Sequence, residues 1–145
     1  MSREAAFEDA FNLLCGELIG RGISRTVYEC TIDPSLVVKV EDAEHRRFAN
    51  VFENAFWQDY QHAPKVARWL APCVKLSVGG RVLLQRRAEP LPRDYLLPDK
   101  LPAFLTDHKA SNFGLIQGQL VCVDYAVTVL SPNLALRRTY FNKED

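Results

Sequence analysis

The chain carries no excess of either charge: 18 Lys and Arg stand against 18 Asp and Glu. That removes the electrostatic case for nucleic acid or an anionic membrane as a partner. The pairs Arg46–Arg47, Arg86–Arg87 and Arg137–Arg138 are short and separate, and read as solvated faces. Cys-x-x-Cys spacing is absent. The four cysteines stand at 15, 30, 73 and 122, with no His beside them in a zinc-like pattern. Each sits in an apolar run, which predicts buried free thiols and suits a reducing cytoplasm. No apolar run reaches membrane-spanning length, and the start, with Glu4, Glu8 and Asp9, lacks the apolar core of a signal peptide. Repeats, low-complexity segments and linkers are missing. What is present is ordinary for a globular α+β chain: 145 residues, 48% hydrophobic and 25% charged, with the expectation of one domain over 1–145.

Phe7, Ala10, Phe11 and Leu14 recur at helical spacing, and Gly16 is a plausible stop. Residues 18 to 30 read as strand, glycine turn, strand, with Gly20 and Gly22 in the turn. Glycines there either shape a hairpin or let backbone N–H groups approach a phosphate. Asp33-Pro34-Ser35 turns the chain into a third strand, Leu36–Val40, which Lys39 interrupts. Alternation puts Val38 and Val40 on one face and Val37, Lys39 and Glu41 on the other. Lys39 is either an edge lysine in solvent or a cation beneath the glycine turn.

One long helix is expected over 43 to about 60, from the apolar stripe Phe48, Val51, Phe52, Ala55 and Phe56. Glu53 flanks that stripe, so it either faces solvent or reaches a lysine on the sheet. Pro64 ends the helix, and 66–70 reads as a helical turn. Two further strands, 73–78 and 81–85, flank the hairpin signal Gly79-Gly80. The chain leaves the sheet at 86–91. Pro90, Pro92, Pro98 and Pro102 then allow at most one short helix around 99 to 105. Ser131-Pro132-Asn133 resembles a helix start.

Residues 107 to 124 concentrate the polar chemistry. Asp107-His108-Lys109-Ala110-Ser111-Asn112 precedes two apolar runs joined by Ile116-Gln117-Gly118-Gln119, a β-hairpin that should return Asp124 towards Asn112. Two carboxylates and an amide suit a hard cation such as Mg²⁺, and a carboxylate left free of metal can orient or deprotonate a hydroxyl. A polar turn with a capping Asp accounts for the same residues without a ligand.

In this order the features resemble the protein-kinase-like fold, including its small-molecule kinase relatives and compact kinase-like proteins of phages. The resemblance covers roughly 17 to 126. It implies a five-stranded antiparallel N-lobe-like sheet with one long helix over 17–88. A short catalytic loop, a β-hairpin and a truncated helical C-lobe would follow over 92–145. It further implies ATP and Mg²⁺ as ligands. Gly20, Gly22, Arg25 and Val27 fall in the nucleotide-covering loop, with Val27 against the base. Lys39 matches the lysine on the α- and β-phosphates, and Glu53 its helix partner. Gln85 to Ala88 would be the hinge. Asp107 and Lys109 match catalytic residues, and Asn112 and Asp124 match metal ligands.

The departures are equally specific. Arg25 stands where a third glycine is usual and could contact phosphate itself. Leu105-Thr106 replaces His-Arg, and Tyr125-Ala126 replaces Phe-Gly. Only residues 92 to 105 separate the hinge from the catalytic loop. Three readings remain: a minimal phosphotransferase with an unidentified acceptor, a pseudokinase-like regulatory module that binds nucleotide or a protein partner without turnover, or an unrelated α+β domain whose polar loops are structural.

Overall fold

A computed structural model describes residues 2–42, 44, 47–126 and 132–140. The chain divides into two compact units, Met1–Asn54 with Cys73–Arg87, and Ala55–Pro72 with Ala88–Asp145.

The first unit opens with helix α1 (Arg3–Leu14), capped by the Ser2 side chain, which accepts from the Ala5 N–H at 3.1 Å. The helix ends one residue before the expected stop: Cys15 is its C-cap, and Gly16 already lies in strand β1 (Cys15–Arg21). Strands β2 (Arg25–Cys30), β3 (Leu36–Glu41), β4 (Cys73–Leu76) and β5 (Val82–Arg86) complete an antiparallel sheet of order β1-β2-β3-β5-β4. These are the five expected strands, with ends moved by one to three residues. The first three strands form a meander, with Val27 paired to Lys39, and β5 lies on the other side of β3, Lys39 pairing with Leu83. Strand alternation divides the sheet as expected. One face packs Cys30, Leu36 and Val38 with Leu14, Tyr28, Val40 and Leu84. The other carries Arg25, Lys39, Glu41 and Gln85, all buried.

The long helix is shorter than expected. Helix α2 spans Ala49–Tyr60; of its expected start, residues 43, 45 and 46 lie outside the described residues, and Phe48 is left outside the helix with φ 57°. Its buried face is only partly the apolar stripe: Phe56 is buried and Val51 half-buried. Phe48 and Phe52 are half exposed, whereas Asn50 and Glu53 are 0% exposed. The reason is chemical: the sheet face opposite these two residues offers cations and carbonyls, so polar side chains are buried there with partners.

The second unit holds the end of α2, the short helix α3 (Pro64–Ala67) and two small sheets. Strand β6 (Glu89–Pro90) pairs with β8 (Phe113–Ile116), and β8 with β9 (Gln119–Cys122). The expected β8–β9 hairpin is present. Gln117 (φ 51°) and Gly118 (φ 76°) form its two-residue turn, the left-handed pair that a tight hairpin requires. Residues 86–91 therefore do not simply leave the sheet; two of them start another.

The helical lobe expected over 92–145 is not what the described residues form. Over 99 to 105, where the prolines leave room for at most one short helix, there is strand β7 (Lys100–Pro102), paired with β10 (Leu136–Arg138). Residue 131 lies outside the described residues. Asn133, read as part of a helix start, instead accepts the Ala135 N–H on Oδ1 at 2.9 Å, closing a local turn. Backbone N–H groups of Ala103 and Phe104 are satisfied by the carbonyls of Ala135 and Asn133, a ladder that competes with helix. Phe56, Leu70, Phe104, Val121 and Tyr125 are buried in this unit, with Phe56 5.9 Å from the Tyr125 ring and 6.2 Å from Phe104.

Gly114 is the position where this unit has no room for a side chain. A Cβ there would lie 2.7 Å from Ala88 Cβ and 2.8 Å from the Glu89 carbonyl oxygen. Gly114→Ala is expected to push β6 off β8 and to cost about 1–3 kcal/mol, read as a lower urea midpoint. An unchanged midpoint would show that β6 yields without cost.

Candidate functional site

In the first unit the polar face of the sheet meets α2 at the Glu53 carboxylate. Lys39 Nζ donates to Glu53 Oε2 at 2.7 Å. Arg25 donates to the same carboxylate through Nη1 at 2.8 Å and Nη2 at 3.4 Å, and Nη1 also reaches Asn50 Oδ1 at 3.2 Å. All three charged groups are buried. Arg25, expected in a phosphate-covering loop, thus braces the helix glutamate from the sheet. Burial alone would raise the Glu53 pKa, but Lys39 and then Arg25 outweigh it and hold the carboxyl at about 2.

Two further residues, not singled out in the sequence, hold this arrangement. Glu41 ends β3 and accepts the N–H of Phe48 at 3.1 Å and of Asn50 at 2.7 Å, a carboxylate at the positive end of α2. Asn50 Nδ2 donates to the carbonyls of Lys39 and Arg81, each at 3.0 Å, tying the first turn of α2 to β3 and to the turn before β5. A signal did exist. Glu41 shares the Lys39 face, and Asn50 lies one helical turn before Glu53.

The glycine turn is open. A Cβ at Gly20 would meet nothing within 4 Å, and at Gly22 only the Arg25 carbonyl oxygen at 3.8 Å. Neither has a positive φ, so the fold itself does not require glycine at either position. Val27 is half-buried on the Lys39 face.

In the second unit the 3₁₀ turn Ala110–Asn112 leads into β8. Asp107 and Lys109 are both accessible, with Lys109 Nζ 3.7 Å from Asp107 Oδ2. Asn112 is buried and its Nδ2 donates to the Asp107 carbonyl at 3.3 Å. The Val123 N–H donates to the Asn112 carbonyl at 2.8 Å, so the hairpin does return Asp124 to within one residue of the position opposite Asn112. Asp124 is exposed, and its carbonyl accepts from the Cys122 thiol. Tyr125 turns inward, its hydroxyl donating to the Ala71 carbonyl at 2.7 Å.

His108, between the two accessible charges, is a scaffold. Its Nε2 lies 2.6 Å from the Leu105 carbonyl, and its Nδ1 accepts the Tyr140 N–H at 3.2 Å. That assigns the proton to Nε2. The Tyr140 ring stacks on it at 4.4 Å.

Among the described residues no group of three or more His, Cys, Asp and Glu is arranged to hold a metal. The donor set at the hairpin is smaller: one carboxylate, Asp124, and one amide oxygen. Asn112 Oδ1 accepts no hydrogen bond among the described residues although the side chain is buried. Both are hard oxygen donors, the type that Mg²⁺ takes alongside water and phosphate.

No family model matches this chain, and no curated protein matches it.

The Glu53 carboxyl gives a pH signature. Its folded pKa of about 2 lies below the ordinary 4.5. It therefore stabilises the fold fully above about pH 5, and that contribution, on the order of 3 kcal/mol, disappears as pH falls towards 2. At neutral pH, Glu53→Gln leaves two buried cations short of a counter-charge and should cost about 3–5 kcal/mol. Denaturant titrations of both proteins from pH 7 to 2 should show the gap narrowing as the wild-type carboxyl protonates. A gap independent of pH would contradict the assignment.

Proposed function

We propose that this chain is an ATP- and Mg²⁺-dependent phosphotransferase of minimal protein-kinase-like type. The observation that carries the reading is the Lys39–Glu53 pair, a strand lysine bound at 2.7 Å to a fully buried helix glutamate. Buried ion pairs contribute little net stability against apolar replacements, so a lysine held this way is better explained by something its ammonium must meet. The open Gly20 supports the same reading, because glycine there relieves no strain and no contact but leaves backbone accessible to a phosphate.

The residues divide by task. In the first unit Gly20 and Gly22 cover phosphate, Val27 packs on the base, and Lys39 fixes the α- and β-phosphates. Glu53 orients Lys39, and Arg25 orients Glu53. In the second unit Asp107 orients the acceptor hydroxyl and accepts its proton, and Lys109 stabilises charge on the transferred group. Asn112 and Asp124 would hold Mg²⁺, whose chemistry when bound is to neutralise charge on phosphate oxygens.

A second reading, a pseudokinase-like module binding nucleotide or a protein partner without turnover, is favoured by one observation. Among the described residues after Asp124 the only regular element is the three-residue strand β10, which offers little surface to a peptide acceptor.

Thermal melts with and without millimolar ATP and Mg²⁺ test binding. The wild type should gain several degrees only with both ligands. The Lys39→Ala/Asp124→Ala variant should gain nothing, and Gly20→Ala should keep the unliganded melting temperature but lose part of the gain. Phosphate release then tests turnover, where Asp107→Asn should cost about 10²–10⁴-fold. A wild type indifferent to ATP and Mg²⁺ overturns nucleotide binding; binding without phosphate release selects the second reading.

A further inference from the structure

Two of the four free cysteines face each other across the first two strands. Cys15 and Cys30 are direct partners in the β1–β2 register. The Thr31 N–H donates to the Leu14 carbonyl at 3.0 Å, a bond that flanks the Cys15–Cys30 pair on its α1 side, while the ladder is irregular between Cys15 and Leu18. Antiparallel ladders alternate, so Cys15 and Cys30 occupy the non-hydrogen-bonded type of pair, in which Cα atoms approach to about 4.5 Å and side chains lie closest. A disulfide needs Cα atoms about 4.4–6.8 Å apart. Both side chains also belong to one cluster, with Cys15 packed against buried Cys30, Leu36 and Val38.

We propose that Cys15 and Cys30 are a reversible redox site, closing a cross-strand disulfide that staples the α1–β1 junction to β2. The co-reactant is a small-molecule disulfide of the glutathione class. Cys15 is half-buried whereas Cys30 is 3% exposed, so the Cys15 thiolate attacks first and expels one small thiolate, leaving a mixed disulfide. The Cys30 thiolate then attacks Cys15 Sγ and expels the second. Two protein thiols lose two protons and two electrons, and the small disulfide is reduced to two thiols. Burial, and then the neighbouring Cys30, raise the Cys15 thiol above its ordinary 9.0, so closure speeds up with rising pH. The remaining cysteines have other neighbours: Cys73 Sγ contacts the Gln85 amide and the Glu53 carbonyl, and Cys122 donates to the Asp124 carbonyl.

The staple leaves the polar face untouched, because Cys30 alternates away from Arg25, Val27 and Glu29 on β2. It closes a short loop whose tip is the Gly20–Gly22 turn and so stiffens the ribbon that carries it. This inference does not depend on the phosphotransferase reading.

The test is to incubate the full chain with oxidised glutathione at alkaline pH, block free thiols, digest with trypsin without reductant, and map the peptides. Cleavage after Arg21 and Arg25 separates the two cysteines, so a linked peptide is diagnostic. The expected result is a Cys15–Cys30 crosslink, about 2 Da lighter than the paired thiols. Cys73→Ser and Cys122→Ser should retain it, Cys15→Ser and Cys30→Ser should lose it, and dithiothreitol should reverse it. The oxidised wild type should melt several degrees higher. Glutathione left on Cys15 with Cys30 free, a different pairing, no reaction in the folded protein, or a melting temperature that stays or falls would each overturn the proposal.

Discussion

One buried carboxylate, Glu53, organises the first unit. Removing a carboxylate from water is costly, and the cost is offset only because Lys39 and Arg25 reach it from adjacent strands. Both contacts cross from sheet to helix, so they fix the rotation of α2 as well as its distance. Asn50 adds two hydrogen bonds to sheet carbonyls one turn earlier, and Glu41 caps the helix start from the end of β3. The interface between α2 and the sheet is thus polar where a domain of this size would ordinarily be apolar. The apolar packing of the unit lies on the opposite face, around Val38 and Cys30.

How much of this is legible in the chain follows from what each pattern reports. The strands are readable because alternation and turn chemistry are local: Gly79-Gly80 and Gln117-Gly118 announce their hairpins, and the Lys39 face is set by period two. The pairing of Lys39 with Glu53 is among the alternatives the residues leave open. The face of α2 misleads in part: Phe56 of the apolar stripe is buried as such a stripe predicts, but Asn50 and Glu53 are buried as well and Phe52 is half exposed. Periodicity weighs hydrophobicity and cannot weigh a partner 14 residues away on another element. Strand β10 reads locally as helix, and β7 as a stretch with room for at most one short helix, for a similar reason. Each is three residues long and is defined by pairing with the other, a long-range contact with no local signature. Tyr140 and His108 likewise depend on a contact across 32 residues.

The second unit keeps its accessible charges on a rigid base. Asp107 and Lys109 project from a loop whose intervening His108 is buried and hydrogen-bonded on both ring nitrogens. The hairpin ladder fixes Asn112 and carries Asp124 back alongside it. A fold of this kind hosts many functions, so the functional weight rests on these particular side chains. Asn112 is buried, with its Nδ2 closing the loop on the Asp107 carbonyl.

The central claim is that the buried charge cluster is held for a ligand and not for stability. It is tested most directly by replacing the cluster with apolar side chains, Arg25→Met, Lys39→Met and Glu53→Leu together. ATP·Mg²⁺ binding by calorimetry and the urea midpoint would then be measured on the same protein. The account predicts a folded variant at least as stable as the wild type, as apolar replacement of buried ion clusters commonly gives, with binding abolished. A variant that still binds as the wild type does, or one that loses most of its stability while the wild type shows no binding, would contradict it.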